Sequence, residues 1–486
     1  MSGAARAATS AGVAPSASAT NLVDVSGSLS GFHRPIGGPD NAGGLAGAAW
    51  FDYNNSGRLS LFIPGTPGHP NALFENLGGG RFVNVAAQAG VAGGQGGGGV
   101  AVADISNDGC EDLLVSGTGG IETGHQSPTK LYLNNGNNTF TDVAAQSGLA
   151  SALGFWMSVT LGDIYNHGNL DLFSTNAGHS PGGLPFEDLQ PLQVYFPHGL
   201  WENTSNPLAA LTSPFVSGTV GLTPDPTGGL LSPLGSPLPG ALGAATSGLA
   251  DALAPALKPV GAALGGVFYK NVSQAAGLSN LNWGWGASFA DFANDGHEDL
   301  FFNGTYPGLG GLIHSAPFIG DQYGNPGYLL HNDGTGEFTI AQTFAQQNRF
   351  TSGSAVGDYN NDGRPDIAIV NTAHGSDPGA PILLENKTVN NNGWITVKLV
   401  GTKSNRDGIG AKVWVLDGPL TKLQEVRSGT GFASQDSLWL TFGVGPNAPA
   451  TVPVEVAWPS GLLETFNAST DRKVTLTEGT GRPTSG

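Results

Sequence analysis

The sequence predicts an all-β protein, with a β-propeller followed by a C-terminal β-sandwich-like domain. An acidic motif recurs five times, and each copy is followed by an apolar strand. Each period also contains about four short strand-like runs, which is typical of propeller blades. Residues 390–480 then alternate short apolar runs with turn residues, which favours a small sandwich.

Composition narrows the classes of function. The net charge is -18, which argues against nucleic-acid binding and suits divalent cations. Cys110 is the only cysteine, so no disulfide framework is expected. No apolar run reaches the roughly 18 residues of a membrane span. Residues 1–20 are small and polar, and we interpret them as a disordered leader or the remnant of an export signal.

The repeat is clearest in "GDYNNDGRPDIA", which begins at Gly357. We number the acidic loops 1 to 5 in chain order. The other four copies begin at Phe51, Ala103, Gly162 and Ala290. In every repeat a second strand ends in asparagine, at Asn76, Asn134, Asn203, Asn332 and Asn386. Five repeats predict at least five blades over residues 21–389.

The ends of this region predict how the ring closes. The fifth repeat supplies two strands, and residues 21–31 resemble the third strand of a repeat. Residues 45–52, "LAGAAWFD", would then be the fourth strand of that blade. Each acidic loop is expected to join the last strand of one blade to the first of the next. Closure from both ends would leave no exposed sheet edge.

A long insert interrupts the third repeat. Residues 205–264 are rich in Pro, Gly, Ala and Leu, with almost no aromatic or β-branched pattern. This composition favours a flexible linker, and a partner-binding or lid segment is the alternative. The insert is long enough to hide another blade, but the repeat spacing places it inside one hairpin turn.

The acidic loops carry oxygen side chains at positions 1, 3, 5 and 9 and glycine at position 6. Calcium binds such mixtures of carboxylates and carbonyls, and glycine permits the bend. The alternative is that the side chains only brace turns. Loop 1 has lost two acids, with Ser56 and Ser60 at these positions, and loop 3 has Tyr165 and His167 in place of the usual oxygen ligands. We predict calcium at Asp358, Asn360, Asp362 and Asp366 in loop 5, at Asp104, Ser106, Asp108 and Asp112 in loop 2, and at Asp291, Asp295 and Asp299 in loop 4.

These motifs resemble a known family. The loops are similar to the FG-GAP/VCBS repeats of integrin-like propellers. The stretches "SNRDGIGAKV" (404–413), "SGTGFASQDS" (428–437) and "VEVAWPSG" (454–461) resemble the ASPIC/UnbV domain of the cartilage acidic protein family. The resemblance implies calcium binding and a secreted or periplasmic location. Integrin-like relatives have seven blades, more than the five repeats counted here.

A second pattern falls on the opposite face of the predicted ring. The loop after each acidic loop's strand contains one histidine: His69, His125, His179, His314 and His374. Converging imidazoles would suit copper, iron or zinc, whereas inherited structural histidines are the alternative. Trp156, Trp283, Trp285 and Arg34 are expected near the same mouth and could line a ligand pocket.

Two functions remain open at this stage. The first is an exported, calcium-binding propeller that acts as a binding module for a small-molecule, glycan or protein ligand. The second is a metal-dependent enzyme that oxidises, hydrolyses or cyclises a small molecule at the histidine face. The fold alone does not separate them, because propellers serve both purposes.

Overall fold

The structure is a computed structural model. It describes residues 20–35, 45–66, 68–94, 97–117, 127–147, 149, 153–154, 156–162, 170–176, 199–201, 276–278, 285–304, 327–335, 337–344, 349–373, 376–417 and 420–484. The chain divides into two compact units, Met1–Ser213 with Asn280–Gly486, and Pro214–Ser279. All strands below belong to the first unit. The predicted leader, apart from Thr20, and the whole insert 205–264 lie outside the described residues.

Among the described residues, the propeller region contains twenty-one strands in chain order. They are β1 (Leu22–Asp24), β2 (Ala49–Phe51), β3 (Ser60–Ile63), β4 (Ala72–Asn76), β5 (Phe82–Asn84), β6 (Gly97–Ala103), β7 (Asp112–Gly117), β8 (Ser127–Pro128), β9 (Lys130–Asn134), β10 (Phe140–Asp142), β11 (Leu153–Gly154), β12 (Trp156–Gly162), β13 (Asp171–Asn176), β14 (Gly199–Trp201), β15 (Gly286–Ala290), β16 (Asp299–Asn303), β17 (Tyr328–Asn332), β18 (Phe338–Thr343), β19 (Phe350–Gly357), β20 (Asp366–Thr372) and β21 (Ile382–Asn386). A short 3-10 helix (Ser26–Leu29) and α1 (Ala86–Ala89) connect strands of this region.

Five antiparallel sheets follow the five repeats. Their strand orders are β2-β3-β4-β5, β6-β7-β9-β10, β12-β13-β14, β15-β16-β17-β18 and β19-β20-β21-β1. A small pair, β8 and β11, stands apart. The first strand of each sheet is the innermost, and these strands contact one another in the order β15, β19, β2, β6, β12. The predicted all-β, propeller-like architecture is confirmed.

The acidic loops connect strands differently from the prediction. Each described acidic loop joins the innermost strand to the second strand of the same sheet, as in the pairing of Gly357 with Asp366. The expectation that these loops link two blades is wrong. The physical reason is that the residues flanking each loop, such as Gly357 and Asp366, are paired in an antiparallel ladder, which a hairpin loop connects.

Closure from both ends of the chain is confirmed in part. Strand β1 pairs with β21, with Leu22 opposite Asn386, so the N-terminus supplies the outer strand of the last sheet. Residues 45–52 instead contribute β2, the innermost strand of the next sheet, and are not a fourth strand of the closing blade.

Apolar side chains fill the space between adjacent sheets. Trp50 has no exposed surface and stacks on Tyr359 of the neighbouring sheet, with ring centroids 6.0 Å apart. Phe51 points to the other side and packs near Phe140. Burying an aromatic side chain of this size contributes about 1.5–3 kcal/mol, so consecutive residues of one strand hold two neighbours.

Three of the five strand-ending asparagines join one blade to the next, whereas the amide of Asn332 donates to Glu298 O in the loop of its own sheet. The side-chain amides of the three donate to a backbone carbonyl in the acidic loop of the adjacent sheet. These bonds run from Asn76 to Tyr359 O (2.7 Å), from Asn134 to Tyr53 O (2.7 Å) and from Asn386 to Phe292 O (2.9 Å). The recurring asparagine is therefore explained by blade-to-blade contact, because each acceptor is the second residue of a neighbouring loop.

The C-terminal domain is a two-sheet sandwich. Its strands are β22 (Asn392–Val400), β23 (Lys412–Asp417), β24 (Leu420–Glu425), β25 (Leu440–Pro446), β26 (Thr451–Ala457), β27 (Leu463–Ser469), β28 (Arg472–Thr477) and β29 (Arg482–Pro483). The sheets have the orders β25-β22-β28 and β24-β23-β26-β27-β29, and only the β22–β28 pair is parallel. The β-sandwich-like domain predicted from the sequence is confirmed.

One carboxylate organises the turn that follows β22. Glu478 accepts hydrogen bonds from the backbone N–H groups of Thr402 and Lys403 (2.7 Å each) and of Ser404 (2.9 Å). The Ser460 hydroxyl donates to the same carboxylate. Burial alone would raise the pKa of Glu478, but these hydrogen bonds outweigh it and lower the pKa to about 2.

A segment of the C-terminal domain runs between the innermost propeller strands. We call residues 428–437 the channel segment. The N–H of Val100 donates to Ala433 O (2.9 Å), and that of Gln435 donates to Ala48 O (2.8 Å). The N–H of Ser437 donates to Val356 O (2.9 Å). Backbone groups on the inner edges of β2, β6 and β19 thereby find partners.

Glycines in the inner strands leave space for this segment. A Cβ on Gly47 would lie 1.7 Å from Ala433 O, and one on Gly353 would lie 2.5 Å from Phe432 O. Any larger residue would displace the segment or the strand. Small residues along the inner strands are therefore required by the close approach of a second backbone.

We predict that Asn134→Ala lowers the free energy of unfolding by about 1–3 kcal/mol, because two buried carbonyls lose their donor. The matched control is Asn135→Ala, since Asn135 is exposed and its side chain bonds only nearby threonines. Chemical denaturation of both variants checks the prediction. Equal stability of the two would contradict the blade-to-blade role of Asn134.

We predict that Glu478 contributes at most about 3 kcal/mol of stability, because its pKa falls to about 2 from an unfolded value near 4.3. This contribution is full above about pH 4.5 and is lost as the pH falls towards 2. Denaturation of wild type and Glu478→Gln at several pH values measures it, with Glu425→Gln as the exposed control. A constant difference between wild type and Glu478→Gln down to pH 2 would contradict it.

Candidate functional site

The four acidic loops that the structure describes, loops 1, 2, 4 and 5, share one backbone conformation. Position 4 is an asparagine in the left-handed region in each, and position 6 is a glycine with positive φ. The asparagines are Asn55, Asn107, Asn294 and Asn361, with φ between 53° and 59°, and the glycines are Gly57, Gly109, Gly296 and Gly363, with φ between 78° and 96°. Loop 1 keeps this shape although it has lost two acids, so the turn does not need the full acidic set.

The aspartate at position 1 closes each turn. Its two oxygens accept the N–H groups of positions 5 and 6. In loop 5, Asp358 accepts from Asp362 (3.0 Å) and Gly363 (2.9 Å). The equivalent bonds of Asp52, Asp104 and Asp291 have donor–acceptor distances of 2.7–3.0 Å. This much of the pattern is explained by turn formation.

The aspartate at position 9 ties the loop to the third strand of its sheet. Asp366 accepts the N–H of Asn386 at 2.7 Å, and Asp112 accepts that of Asn134 at 2.8 Å. In loop 4, Asp299 accepts the N–H of Asn332 (2.9 Å). The carboxylates at positions 1 and 9 are therefore held at fixed places on the same loop.

Burial of these carboxylates has an electrostatic consequence. It raises the pKa of Asp112 to about 7 and that of Asp358 to about 6. Burial also raises the pKa of Asp104, Asp291, Asp299 and Asp366, and neighbouring carboxylates in the same loop add to the increase. Negative charge accumulates in loops 2, 4 and 5, and a bound cation would relieve it.

Loop 4 offers the clearest fit to a cation. Asp299 is fully buried, and its Oδ2 atom has no hydrogen-bond partner, whereas its Oδ1 accepts from His331 Nδ1 at 2.8 Å. Asp295 lies close enough to raise the pKa of both Asp291 and Asp299. Within the described ranges, no three His, Cys, Asp or Glu side chains are arranged as a finished metal site. Position 3 of this loop is Ala293, so Asp295 at position 5 would have to join Asp291 and Asp299 as a ligand.

The histidine pattern is mostly beyond what the structure describes. His125, His179, His314 and His374 lie outside the described residues, as does Trp283. His69 is exposed in the turn after β3, where its backbone N–H donates to Thr66 O. The imidazole cluster, its transition metal and the enzyme alternative all stay predictions.

The predicted ligand pocket is described at two of its four residues. Arg34 has no exposed surface, and its Nε donates to Pro64 O at 3.0 Å. Burial lowers the pKa of Arg34 to about 9. Trp285 is half-buried and packs on Phe432 of the channel segment, with ring centroids 5.1 Å apart. Only the backbone of Trp156, in β12, is described.

Sequence reasoning missed the contact between the C-terminal domain and the acidic loops. Every described loop touches that domain. The contacts are Lys473 Nζ to Gly57 O (2.7 Å) in loop 1, Asp104 N to Asp407 Oδ2 (2.5 Å) in loop 2, Gly445 N to Asn294 O (3.0 Å) in loop 4, and the Trp394 ring against Gly363 in loop 5. Burial lowers the pKa of Lys473 to about 8. The signal available in the sequence was the set of basic and aromatic residues in the C-terminal domain, which could contact acidic loops.

Comparison with known families supports this architecture. The profile described as "FG-GAP-like repeat" matches residues 52–115 and 318–369, and the profile described as "ASPIC and UnbV" matches residues 401–483. The chain carries FG-GAP-like repeats and an ASPIC and UnbV domain. The resemblance predicted from the motifs is confirmed, and the repeats indicate a propeller-type binding module. The channel segment belongs to the ASPIC and UnbV domain.

A curated relative shares the same range of the chain. Cartilage acidic protein 1 of Xenopus tropicalis is 24% identical over 440 residues, which are 86% of this chain and 52% of the relative. The chain therefore spans about half the length of that relative. The crystal structure of the V. cholerae biofilm matrix protein Bap1 covers 90% of this chain and 63% of its own, at 10% identity and a TM-score of 0.19, which is too low to support an argument. No helix among the described residues has the length and hydropathy of a membrane span.

We predict that, without divalent cations, stability falls as the pH rises from 5 to 8. The pKa of Asp112 (about 7) and that of Asp358 (about 6) exceed the unfolded value near 3.9, so folding favours the protonated forms. Their contribution is complete below about pH 4 and is lost as each group ionises. Denaturation in chelator measures the slope, which Asp112→Asn and Asp358→Asn should each reduce. A flat profile in wild type would refute the effect.

Proposed function

We propose that this chain is an exported binding module whose propeller is stabilised by calcium. The observation that carries the proposal is the charge of the acidic loops. In loop 5, Asp358, Asp362 and Asp366 lie within nine residues, and Arg364 is the only cation bonded to them within the described residues. Calcium takes six to eight oxygens, typically from carboxylates, carbonyls and water. Asn360 would complete the side-chain ligands of loop 5.

The same chemistry extends to two more loops. Asp104, Ser106, Asp108 and Asp112 would supply the oxygens in loop 2, and Asp291, Asp295 and Asp299 in loop 4. The buried Asp299 Oδ2 without a partner supports a ligand role, because a buried polar atom usually has one. When bound, calcium would neutralise carboxylates whose pKa is raised by burial and mutual repulsion.

The residue composition of the loops favours calcium binding outside the cell. Neutral ligands such as Ser106 and Asn360 lower the charge of each site, and low ligand charge weakens calcium affinity. Extracellular calcium modules typically bind with Kd values of about 10⁻⁴–10⁻³ M, which suits secreted or periplasmic conditions.

The position of the ASPIC and UnbV domain favours one face for a partner. Because this domain contacts all four described acidic loops, that face of the propeller is already covered. A small-molecule, glycan or protein ligand would therefore bind at the opposite mouth, beside Trp285. Aromatic surface next to polar backbone is typical of ligand pockets.

We predict that calcium at ten times its Kd raises the free energy of unfolding by about 1.4 kcal/mol for each occupied loop. Calorimetric titration gives the number of ions, and denaturation with calcium or chelator gives the stabilisation. The variant Asp108→Asn/Asp295→Asn/Asp362→Asn should lose both, because it removes charge at position 5 of three loops. Asp333→Asn, an exposed aspartate outside these loops, is the control. Wild type that takes up no calcium would refute the proposed function.

A further inference from the structure

The channel segment spans the distance between the acidic loops and the opposite mouth. Its tip is accessible, since Gly431 is exposed and Phe432 is half-buried against Trp285. Trp439 follows two residues after its other end. This tryptophan is buried where the ASPIC and UnbV domain contacts the propeller. One continuous stretch of ten residues therefore contacts both regions.

The segment is bonded to the inner strands immediately before three acidic loops. In each case the bonded residue lies two positions before the first aspartate. Trp50 N donates to Gln435 O (3.2 Å) before Asp52, Ser428 Oγ donates to Val102 O (2.9 Å) before Asp104, and Val356 N donates to Asp436 Oδ1 (2.7 Å) before Asp358. Only two peptide units therefore separate each loop's first aspartate from a residue that is bonded to the segment.

A lysine supplies a second connection between the loops and the base of the segment. The Lys473 ammonium lies 3.5 Å from the centroid of the Trp439 ring and donates to Gly57 O in loop 1 and to Asn361 Oδ1 (3.3 Å) in loop 5. Cation–π contacts in partly buried places are among the stronger ones. Lys473 thus connects Trp439, which follows the segment, to loops 1 and 5.

We propose that calcium binding in the acidic loops controls how firmly the channel segment is seated, so that ion binding on one face is sensed at the mouth containing Phe432 and Trp285. This inference rests on the proposed calcium function and adds a regulatory role to it. The loops contact the inner strands and the ASPIC and UnbV domain, and both of these contact the segment. An ion that stiffens the loops therefore also disfavours displacement of the segment from the inner strands. By linkage, displacement of the segment weakens calcium binding by the same factor.

Hydrogen–deuterium exchange of the full chain tests the coupling, with calcium chloride as the probe. Where exchange proceeds through segment opening, peptides covering 428–437 should exchange about tenfold more slowly at ten times the calcium Kd than in chelator. Gly353→Ala places a Cβ 2.5 Å from Phe432 O, so it should speed exchange of the segment and weaken calcium binding several-fold. Gly162→Ala is the matched inner-strand control, because no atom of the residues that the structure describes lies within 4 Å of its Cβ position.

The outcomes separate the two proposals. Slower exchange with calcium, together with weaker binding by Gly353→Ala, supports the coupling. Calcium uptake by wild type with unchanged exchange of 428–437 overturns the coupling and leaves the calcium function standing. Absence of calcium uptake overturns both. If Gly353→Ala does not fold, Phe432→Ala replaces it, because that change removes only the ring that contacts Trp285.

Discussion

The inner edges of the propeller strands impose the constraint on which the structure depends. A radial arrangement of sheets leaves backbone N–H and C=O groups facing the axis, and buried groups of this kind need partners. The channel segment supplies them to β2, β6 and β19. Both backbone and side-chain groups of the segment take part, as in the bonds of Val356 N to Asp436 Oδ1 and of Ser428 Oγ to Val102 O. The ASPIC and UnbV domain is therefore part of the propeller's interior as well as a domain of its own.

This constraint explains features that otherwise look unrelated. Glycines such as Gly47 and Gly353 keep the channel wide enough for a peptide chain. Three asparagines that end third strands fix their blades to the loop of a neighbour, for example Asn134 to Tyr53. Lys473 and Trp439 anchor the base of the segment on two loops. Each feature serves the same purpose, which is to hold separate sheets around one inserted segment.

The acidic loops acquire a double role in this arrangement. Their first aspartates cap the turns, and the raised pKa of carboxylates such as Asp112 indicates charge that the fold alone leaves poorly compensated. A cation would compensate it, and the loops are in contact with the domain that fills the channel. Stability, cation binding and the state of the opposite mouth are therefore expected to depend on one another, which is a useful property in a binding module.

The repeat, the strand periodicity, the acidic turns and the C-terminal sandwich could be predicted from the sequence, because they depend on local spacing and turn chemistry. The sequence also indicated closure by the N-terminal strand. It could not determine which strands an acidic loop joins, or why the second residue of that loop accepts a bond from Asn134 or Asn386, because partners across blades are far apart in the chain. That residues 428–437 enter the propeller is visible only in the folded structure. Their small, polar composition resembles a surface turn, and the space that receives them exists only after five sheets are assembled.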